Sequence, residues 1–200
     1  MSKADRLLRR IQGRCAHDSA YAEKMTAYLG TGNLIAGITT PPQISPSLND
    51  FCRTLNGNAA PVFVAVAPPL WSRRDCCYLN VERIIKEKGG ESVFGYKIWA
   101  NDVYAEGVPH CIWRDRAGQL VDVTFNQDGE RRILFVPVPS MTTTTYAHGG
   151  QKPRYALDPD FREVVALETD VQSATEYVWM SEEDSWNTQL TYEEWLSGKR

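Results

Sequence analysis

The spacing of hydrophobic and polar positions changes along the chain, from a helical period near the start to strand-like runs further on. Residues 3–29 carry apolar side chains at helical spacing and predict one or two helices. Residues 36–60 are rich in Pro, Ser, Thr, Asn and Gly and predict irregular structure with a short helix at 47–55. The apolar run PVFVAVA at 61–67 predicts a strand.

The rest of the chain predicts one more clear helix and a series of strands. The helix spans about 76–88, and Gly89-Gly90 ends it. Strands are predicted at 93–99, 109–114, 119–125 and 131–137. Further on, EVVAL at 163–167 and TEYVWM at 175–180 are candidate strands, and 191–197 is a candidate short helix. Helices followed by a run of antiparallel strands predict an α+β fold.

Length and charge indicate a single domain, residues 1–200, with an acidic end. We divide it into a helical and irregular part at 1–60, a core at 61–138 and an acidic C-terminal extension at 139–200. Residues 158–200 carry 3 basic and 11 acidic side chains, together with Trp179, Trp186 and Trp195. Such a region can dock onto a basic surface of its own chain or of a protein partner, or form a solvated edge of the fold.

Composition excludes several classes of protein. We find no basic patch interleaved with aromatics, so nucleic acid is not an expected partner. No window approaches the roughly 18 apolar residues of a membrane span. The five cysteines include the adjacent pair Cys76-Cys77, and the charged start of the chain does not resemble a signal peptide. An odd cysteine count with this spacing argues against a disulfide framework and predicts a soluble protein of the reducing cytoplasm.

The stretch HCIWRDRAGQLVDVTF at 110–125 predicts a hairpin that carries candidate chemistry. The turn at 115–118 has Asp first and Gly last, as in a three-residue loop closed by a glycine bulge. In this register Ile112 lies opposite Asp122, and His110 lies opposite Thr124. His110 and Asp122 then share a face as diagonal neighbours, roughly 7–8 Å apart at the backbone. The alternative is a solvent-exposed face on which the two are neighbours without a catalytic role.

The helix at 76–88 brings a candidate nucleophile. Asp75 is predicted as its N-cap, so that Cys76 and Cys77 are its first two residues. Cys77 begins the apolar stripe that continues through Val81, Ile84 and Ile85, whereas Cys76 points elsewhere. The N–H groups and dipole at a helix start stabilise a thiolate. The alternative for Cys77 is ordinary packing, because free cysteine is among the most buried residue types.

The order Cys, His, Asp resembles the transglutaminase-like branch of the papain-type cysteine enzymes. The resemblance covers roughly 61–138 and is carried by DCCYLNV at 75–81, GG at 89–90, GYKIW at 95–99, HCIW at 110–113 and GQLVDVT at 118–124. It implies a helix whose N-terminal cysteine packs against a small antiparallel sheet that carries the histidine and the aspartate.

The resemblance assigns roles to the three residues. Cys77 would attack a carbonyl, His110 would take and return the proton, and Asp122 would hold the imidazole. The three side chains should lie in line at hydrogen-bond distances. The Cys77 N–H would be one oxyanion donor. The position six residues before Cys77 often supplies the second donor in this family, and here it is Trp71, for which packing is the alternative role.

The predicted function is therefore that of a cysteine hydrolase or acyltransferase, without cofactor, acting on an amide, isopeptide or related acyl bond of a peptide, protein or acyl-amide substrate. A non-catalytic binding module that uses the acidic, Trp-containing C-terminal region is the alternative. Zinc is a further possibility, with ligands drawn from Cys52, Cys76, Cys77, His110 and Cys111. The absence of a C-x₂-C pair argues against it, and we expect no metal.

Overall fold

The fold is described by a computed structural model over residues 2–29, 37–57, 60–143, 152–175 and 180–199. The chain divides into two compact units. Unit 1 comprises Met1–Phe51, Trp99–Gly107 and Gln151–Tyr177, and unit 2 comprises Cys52–Ile98, Val108–Gly150 and Val178–Arg200. The single-domain organisation stays a prediction.

The described elements form a mixed α+β protein, which confirms the predicted fold class. The helices are α1 (Lys3–His17), α2 (Ser19–Leu29), α3 (Pro46–Leu55), α4 (Cys77–Lys88), α5 (Arg162–Ala174), α6 (Glu182–Thr188) and α7 (Tyr192–Leu196). The strands are β1 (Val62–Val66), β2 (Glu91–Ala100), β3 (Tyr104–Arg114), β4 (Leu120–Asp122), β5 (Arg132–Pro137) and β6 (Arg154–Ala156). A 3-10 turn at Pro159–Phe161 precedes α5.

The strands form one sheet in the order β2-β5-β1-β4-β3-β6, and β2 also pairs with β3. The expectation of a purely antiparallel sheet is wrong at one place, because β1 and β4 run parallel, with Ala65 beside Val121 and Val66 beside Asp122. Parallel neighbours require a long crossover. Here α4, β2 and β3 lie between the two strands in the chain and supply it.

Unit 1 is built on packed helices. Its buried cluster consists of apolar side chains from α1, α2, α5, the 3-10 turn and the start of β3: Ile11, Tyr21, Met25, Tyr104, Phe161, Val164 and Val165. The prediction of a strand at 163–167 is wrong, because Val164 and Val165 lie in the buried face of α5. A short apolar run fits a buried helix as well as a strand. The other candidate strand, at 175–180, lies largely outside the described residues.

Unit 2 buries both faces of the hairpin formed by β3 and β4. On one face, α4 packs Cys77, Val81 and Ile84 against Cys111 and Val123. On the other face, Ile112 joins a cluster with β1 and β5, made of Val64, Ile133 and Phe135. The predicted apolar stripe of α4 is confirmed as the side that faces the sheet. Alternate residues of β3 therefore enter two different cores.

The C-terminal segment, residues 180–199, pairs with the loop at 70–76 that leads to α4. Arg73 and Thr191 form an antiparallel bridge. Backbone N–H groups of Tyr192 and Glu193 donate to the carbonyls of Ser72 and Leu70 at 2.8 and 3.0 Å. The short helix predicted at 191–197 is confirmed as α7, which starts with a capping box between Thr191 and Glu194.

None of the helices in the described parts of the chain combines the length and the apolar character needed to cross a bilayer.

Candidate active site

The β3–β4 hairpin has the predicted register over the pairs next to its turn. Trp113 lies opposite Val121 and Arg114 opposite Leu120. The turn closes with the Asp115 N–H donating to the Gln119 carbonyl at 2.9 Å, and Gly118 adopts a φ of 85° that favours glycine. Strand β4 ends at Asp122.

His110 and Asp122 form a buried pair. His110 Nε2 lies 3.0 Å from Asp122 Oδ2, and the other carboxylate oxygen, Oδ1, accepts a hydrogen bond from the Thr124 N–H at 2.9 Å. The residues are 8 % and 1 % exposed respectively. Both oxygens of Asp122 are thus held in place, and the alternative of a solvent-exposed hairpin face is wrong.

The Cys77 side chain hydrogen-bonds His110 from the start of α4. Because Asp122 engages Nε2, Nδ1 is the ring nitrogen left for the sulfur. Burial by itself lowers the pKa of His110, but the nearby negative charges of Asp122 and Cys77, with their hydrogen bonds, raise it to about 10. His110 is therefore an imidazolium at neutral pH, placed between a carboxylate and a sulfur. The structure brings all three predicted site residues together in unit 2.

The start of α4 differs from the prediction. The N-cap is Cys76, without a side-chain cap, and the helix begins at Cys77. Asp75 is not the cap: it lies outside the helix in the left-handed region, with φ 59°, a conformation that Asp tolerates better than most residues. Because Cys77 is the first helical residue, its backbone N–H lies at the positive end of the helix dipole.

The three other buried cysteines of unit 2 have raised pKa values and stay thiols. Burial raises the pKa of Cys76, Cys111 and Cys52, in the last case to about 11. Cys76 lies beside Ser185, with 3.4 Å between its sulfur and the serine oxygen. Cys77 is buried as well, and what distinguishes it is its contact with His110.

Trp71 packs in the apolar cluster that contains Cys77. The Arg83 guanidinium lies over its ring at 4.2 Å from the centroid, a cation–π contact. Its ring thus has a packing role, and its use as an oxyanion donor stays a prediction.

Sequence reasoning missed two fully buried polar residues, Ser72 and Asn80. The Ser72 hydroxyl donates to the Val123 carbonyl at 2.7 Å. The Asn80 amide donates to Thr124 Oγ1 at 3.1 Å and to the Arg73 carbonyl at 2.7 Å. The signal for Asn80 was its spacing, since residues three apart on a helix are neighbours and Asn80 follows Cys77 by three.

The acidic C-terminal segment docks onto its own unit. The Arg73 guanidinium lies 5.6 Å from the Trp186 ring centroid and donates to the Gln189 carbonyl at 2.7 Å. Tyr192 and Trp195 stack on each other, and both rings contact Phe125. Trp179 lies outside the described residues. A protein partner for this region stays a prediction.

Among the described residues, no group of three or more His, Cys, Asp or Glu side chains is arranged to hold a metal ion. All five cysteines lie in described residues, and none of them forms a disulfide bond.

Comparisons of the chain with protein-family models, with curated proteins and with solved structures find no match.

Proposed function

We propose that this protein is a cysteine-dependent hydrolase or acyltransferase that acts on an amide, isopeptide or related acyl bond. The observation that carries the proposal is a chain of buried contacts, in which the Cys77 side chain contacts His110 and His110 contacts Asp122. Cys77 is at the start of a helix. This arrangement supplies a nucleophile, a proton carrier and a group that orients it.

The reaction begins with the Cys77 sulfur as a thiolate beside the His110 imidazolium. The thiolate attacks the acyl carbonyl, and the developing oxyanion lies within reach of the Cys77 N–H at the start of α4. His110 then gives its proton to the leaving amine, which departs and leaves a thioester on Cys77. In the second half, His110 takes a proton from water, or from an acceptor amine, and that nucleophile releases the acyl group.

Asp122 supports this cycle through its two fixed oxygens. One holds the imidazole through Nε2, and the other is held by the Thr124 N–H. The ring is thereby oriented with Nδ1 toward the sulfur, and its charged form is stabilised while the thioester forms.

The finer fold assignment follows from the same elements. A helix that presents a cysteine at its first residue, packed against strands that carry His110 and Asp122, supports a papain-like or transglutaminase-like arrangement. Five cysteines that form no disulfide bond support a reducing compartment such as the cytoplasm.

The test is alkylation by iodoacetamide at pH 6, followed by mass mapping of the labelled cysteine. It is run in a Cys15→Ser background, because Cys15 is partly exposed and would contribute a label of its own. We expect selective labelling at Cys77, and we expect Cys77→Ala to remove it without loss of fold. His110→Ala should slow labelling at pH 6 strongly, because the thiolate loses its counter-charge.

Absence of labelling in the folded wild-type protein, or labelling that His110→Ala leaves unchanged, would contradict the proposal. Either result would favour the non-catalytic binding module.

A further inference from the structure

Asn80 lies between the loop that leads to Cys77 and the residues that follow Asp122. It belongs to α4, three residues after Cys77, and it is fully buried. A buried amide must satisfy one acceptor and two donors or lose free energy. The partners of this amide therefore show what it is placed to hold.

All three polar functions of the Asn80 amide are engaged. Its Oδ1 accepts from the Arg73 N–H at 2.8 Å, and its Nδ2 donates to the Arg73 carbonyl at 2.7 Å. The second Nδ2 proton goes to Thr124 Oγ1 at 3.1 Å. The Asn80 side chain thus holds the loop before Cys77 through both the N–H and the carbonyl of Arg73. It also holds Thr124, two positions after Asp122.

We propose that Asn80 is a positioning residue that fixes the Cys77 end of the site relative to the His110–Asp122 pair. The inference rests on the proposed cysteine chemistry and names the residue that aligns its parts.

Toward the nucleophile, the amide acts through the turn at 73–76. Arg73 is held at one end of this turn, and the Cys76 N–H donates back to the Arg73 carbonyl at 3.4 Å. Between them Asp75 has a left-handed backbone, with φ 59°, which persists only where the surroundings hold it. Fixing Arg73 therefore fixes where α4 begins and where the Cys77 sulfur lies.

On the side of Asp122, the Asn80 amide acts through Thr124. The Thr124 hydroxyl accepts a hydrogen bond from the Asn80 amide, and the Thr124 N–H donates to Asp122 Oδ1 at 2.9 Å. The second bond fixes the carboxylate, whose other oxygen contacts His110. A shift of Thr124 would thus be passed to the imidazole.

The experiment measures the rate of Cys77 alkylation by iodoacetamide from pH 5 to 10, in the Cys15→Ser background, with melting temperature recorded alongside. Thr124→Val removes the hydroxyl but keeps the N–H that holds Asp122. We expect it to lower the rate at pH 6 by about tenfold and to move the profile toward higher pH, because a misplacement of about 1 Å can cost on the order of a hundredfold. Thr124→Ser, which restores the hydroxyl, should recover the wild-type profile. Asn80→Ala should show a larger loss.

The matched control is Ser72→Ala. Ser72 is also fully buried in the loop before Cys77, and its hydroxyl also bonds the end of β4, at the Val123 carbonyl. The described hydrogen bonds of Ser72 go to the Val123 and Pro69 carbonyls and come from the Tyr192 N–H. We expect this variant to lower the melting temperature and to leave the pH profile unchanged.

The outcomes separate the two proposals. If wild-type Cys77 is not alkylated at pH 6, the cysteine chemistry fails and the role of Asn80 fails with it. If the wild type is alkylated but Thr124→Val matches Ser72→Ala in its profile, the positioning role alone is overturned. If Asn80→Ala does not fold, the Thr124→Val and Thr124→Ser pair decides the question by itself.

Discussion

Each unit contains a deeply buried carboxylate, and the two differ in the partners that surround them. Glu106 of unit 1, on β3, is 2 % exposed, and Asp122 of unit 2, on β4, is 1 % exposed. Glu106 accepts from the Tyr104 hydroxyl at 2.9 Å and lies 3.7 Å from Arg154 Nε. Asp122 accepts from a backbone N–H and contacts His110.

The difference lies in which protons can move. Burial and the Glu106 charge raise the pKa of Tyr104, and arginine does not lose its proton in proteins. Neither of these two partners of Glu106 offers a proton that moves near neutral pH. Around Asp122, the partner is an imidazole, the one side chain whose ordinary pKa lies close to neutrality, and a cysteine contacts that imidazole. Glu106 is buried and paired, which is typical of a structural ion pair. Asp122 is also buried and paired, but its partner can transfer a proton and lies beside a cysteine, which makes this pair a candidate site.

The largest expected effect is on the reactivity of Cys77 in Asp122→Asn. The amide carries no charge to stabilise the imidazolium, and an opposite charge nearby shifts a pKa by about 1–3 units, so alkylation at pH 6 should fall by about 10- to 1000-fold. Circular dichroism should show a retained fold. An unchanged alkylation rate in the folded variant would make Asp122 equivalent to Glu106 and remove the contrast.

The next effect is on stability, in Glu106→Gln. Arg154 has a side chain only 9 % exposed and would lose one of its two carboxylate partners. Breaking a buried ion pair costs about 3–5 kcal/mol, and we expect about 3 kcal/mol in urea unfolding, because Glu168 still serves Arg154. Cys77 alkylation in the folded variant should stay within about twofold of wild type, the opposite signature to Asp122→Asn. A large change in that rate would contradict the division of roles.

The third effect is a dependence of stability on pH. The pKa of His110 rises from about 6.5 in the unfolded chain to about 10 in the folded one. Its protonation therefore stabilises the fold fully below about pH 6.5, and this contribution is lost as pH rises through about 10. Urea unfolding of wild type and His110→Gln from pH 6 to 10.5 should show a difference that shrinks with pH. A difference that grows with pH would mean that His110 is held neutral.

The smallest expected effect is that of Cys76→Ala. The residue is buried beside Ser185 and lies outside the His110 contact. Loss of its sulfur should cost about 1 kcal/mol and leave Cys77 alkylation within about twofold. If mass mapping of the wild-type protein finds the label on Cys76 instead of Cys77, then Cys76 is the nucleophile and the assignment to Cys77 is wrong.

The sequence predicted those parts of the site that depend on the repeat of side chains along a single strand or helix. The turn at 115–118 sets the register of the strand pairs next to it, and the apolar stripe of α4 turns Cys77 toward the sheet. Both follow from side-chain repeats of 2 and 3.6 residues.

The parts that the sequence did not predict depend on contacts between distant positions. Asp75 was expected to cap α4, but Asn80 binds Arg73 and holds the turn in another conformation. The parallel pairing of β1 with β4 depends on where a long crossover returns, which no local pattern encodes. The apolar run in α5 was misassigned because five residues do not distinguish a buried helix from a strand.

The pairing of the C-terminal segment with the loop at 70–76 also sets an order of events during synthesis. Cys76 and Ser185 are 109 positions apart, and Arg74 and Gln189 are 115 apart. A ribosome that adds about 5–20 residues per second makes the second partner on the order of 5–20 s after the first. While the chain grows, Cys77 therefore exists before the loop that leads to it has all its neighbours, and the loop gains the last of them only when translation has passed residue 193.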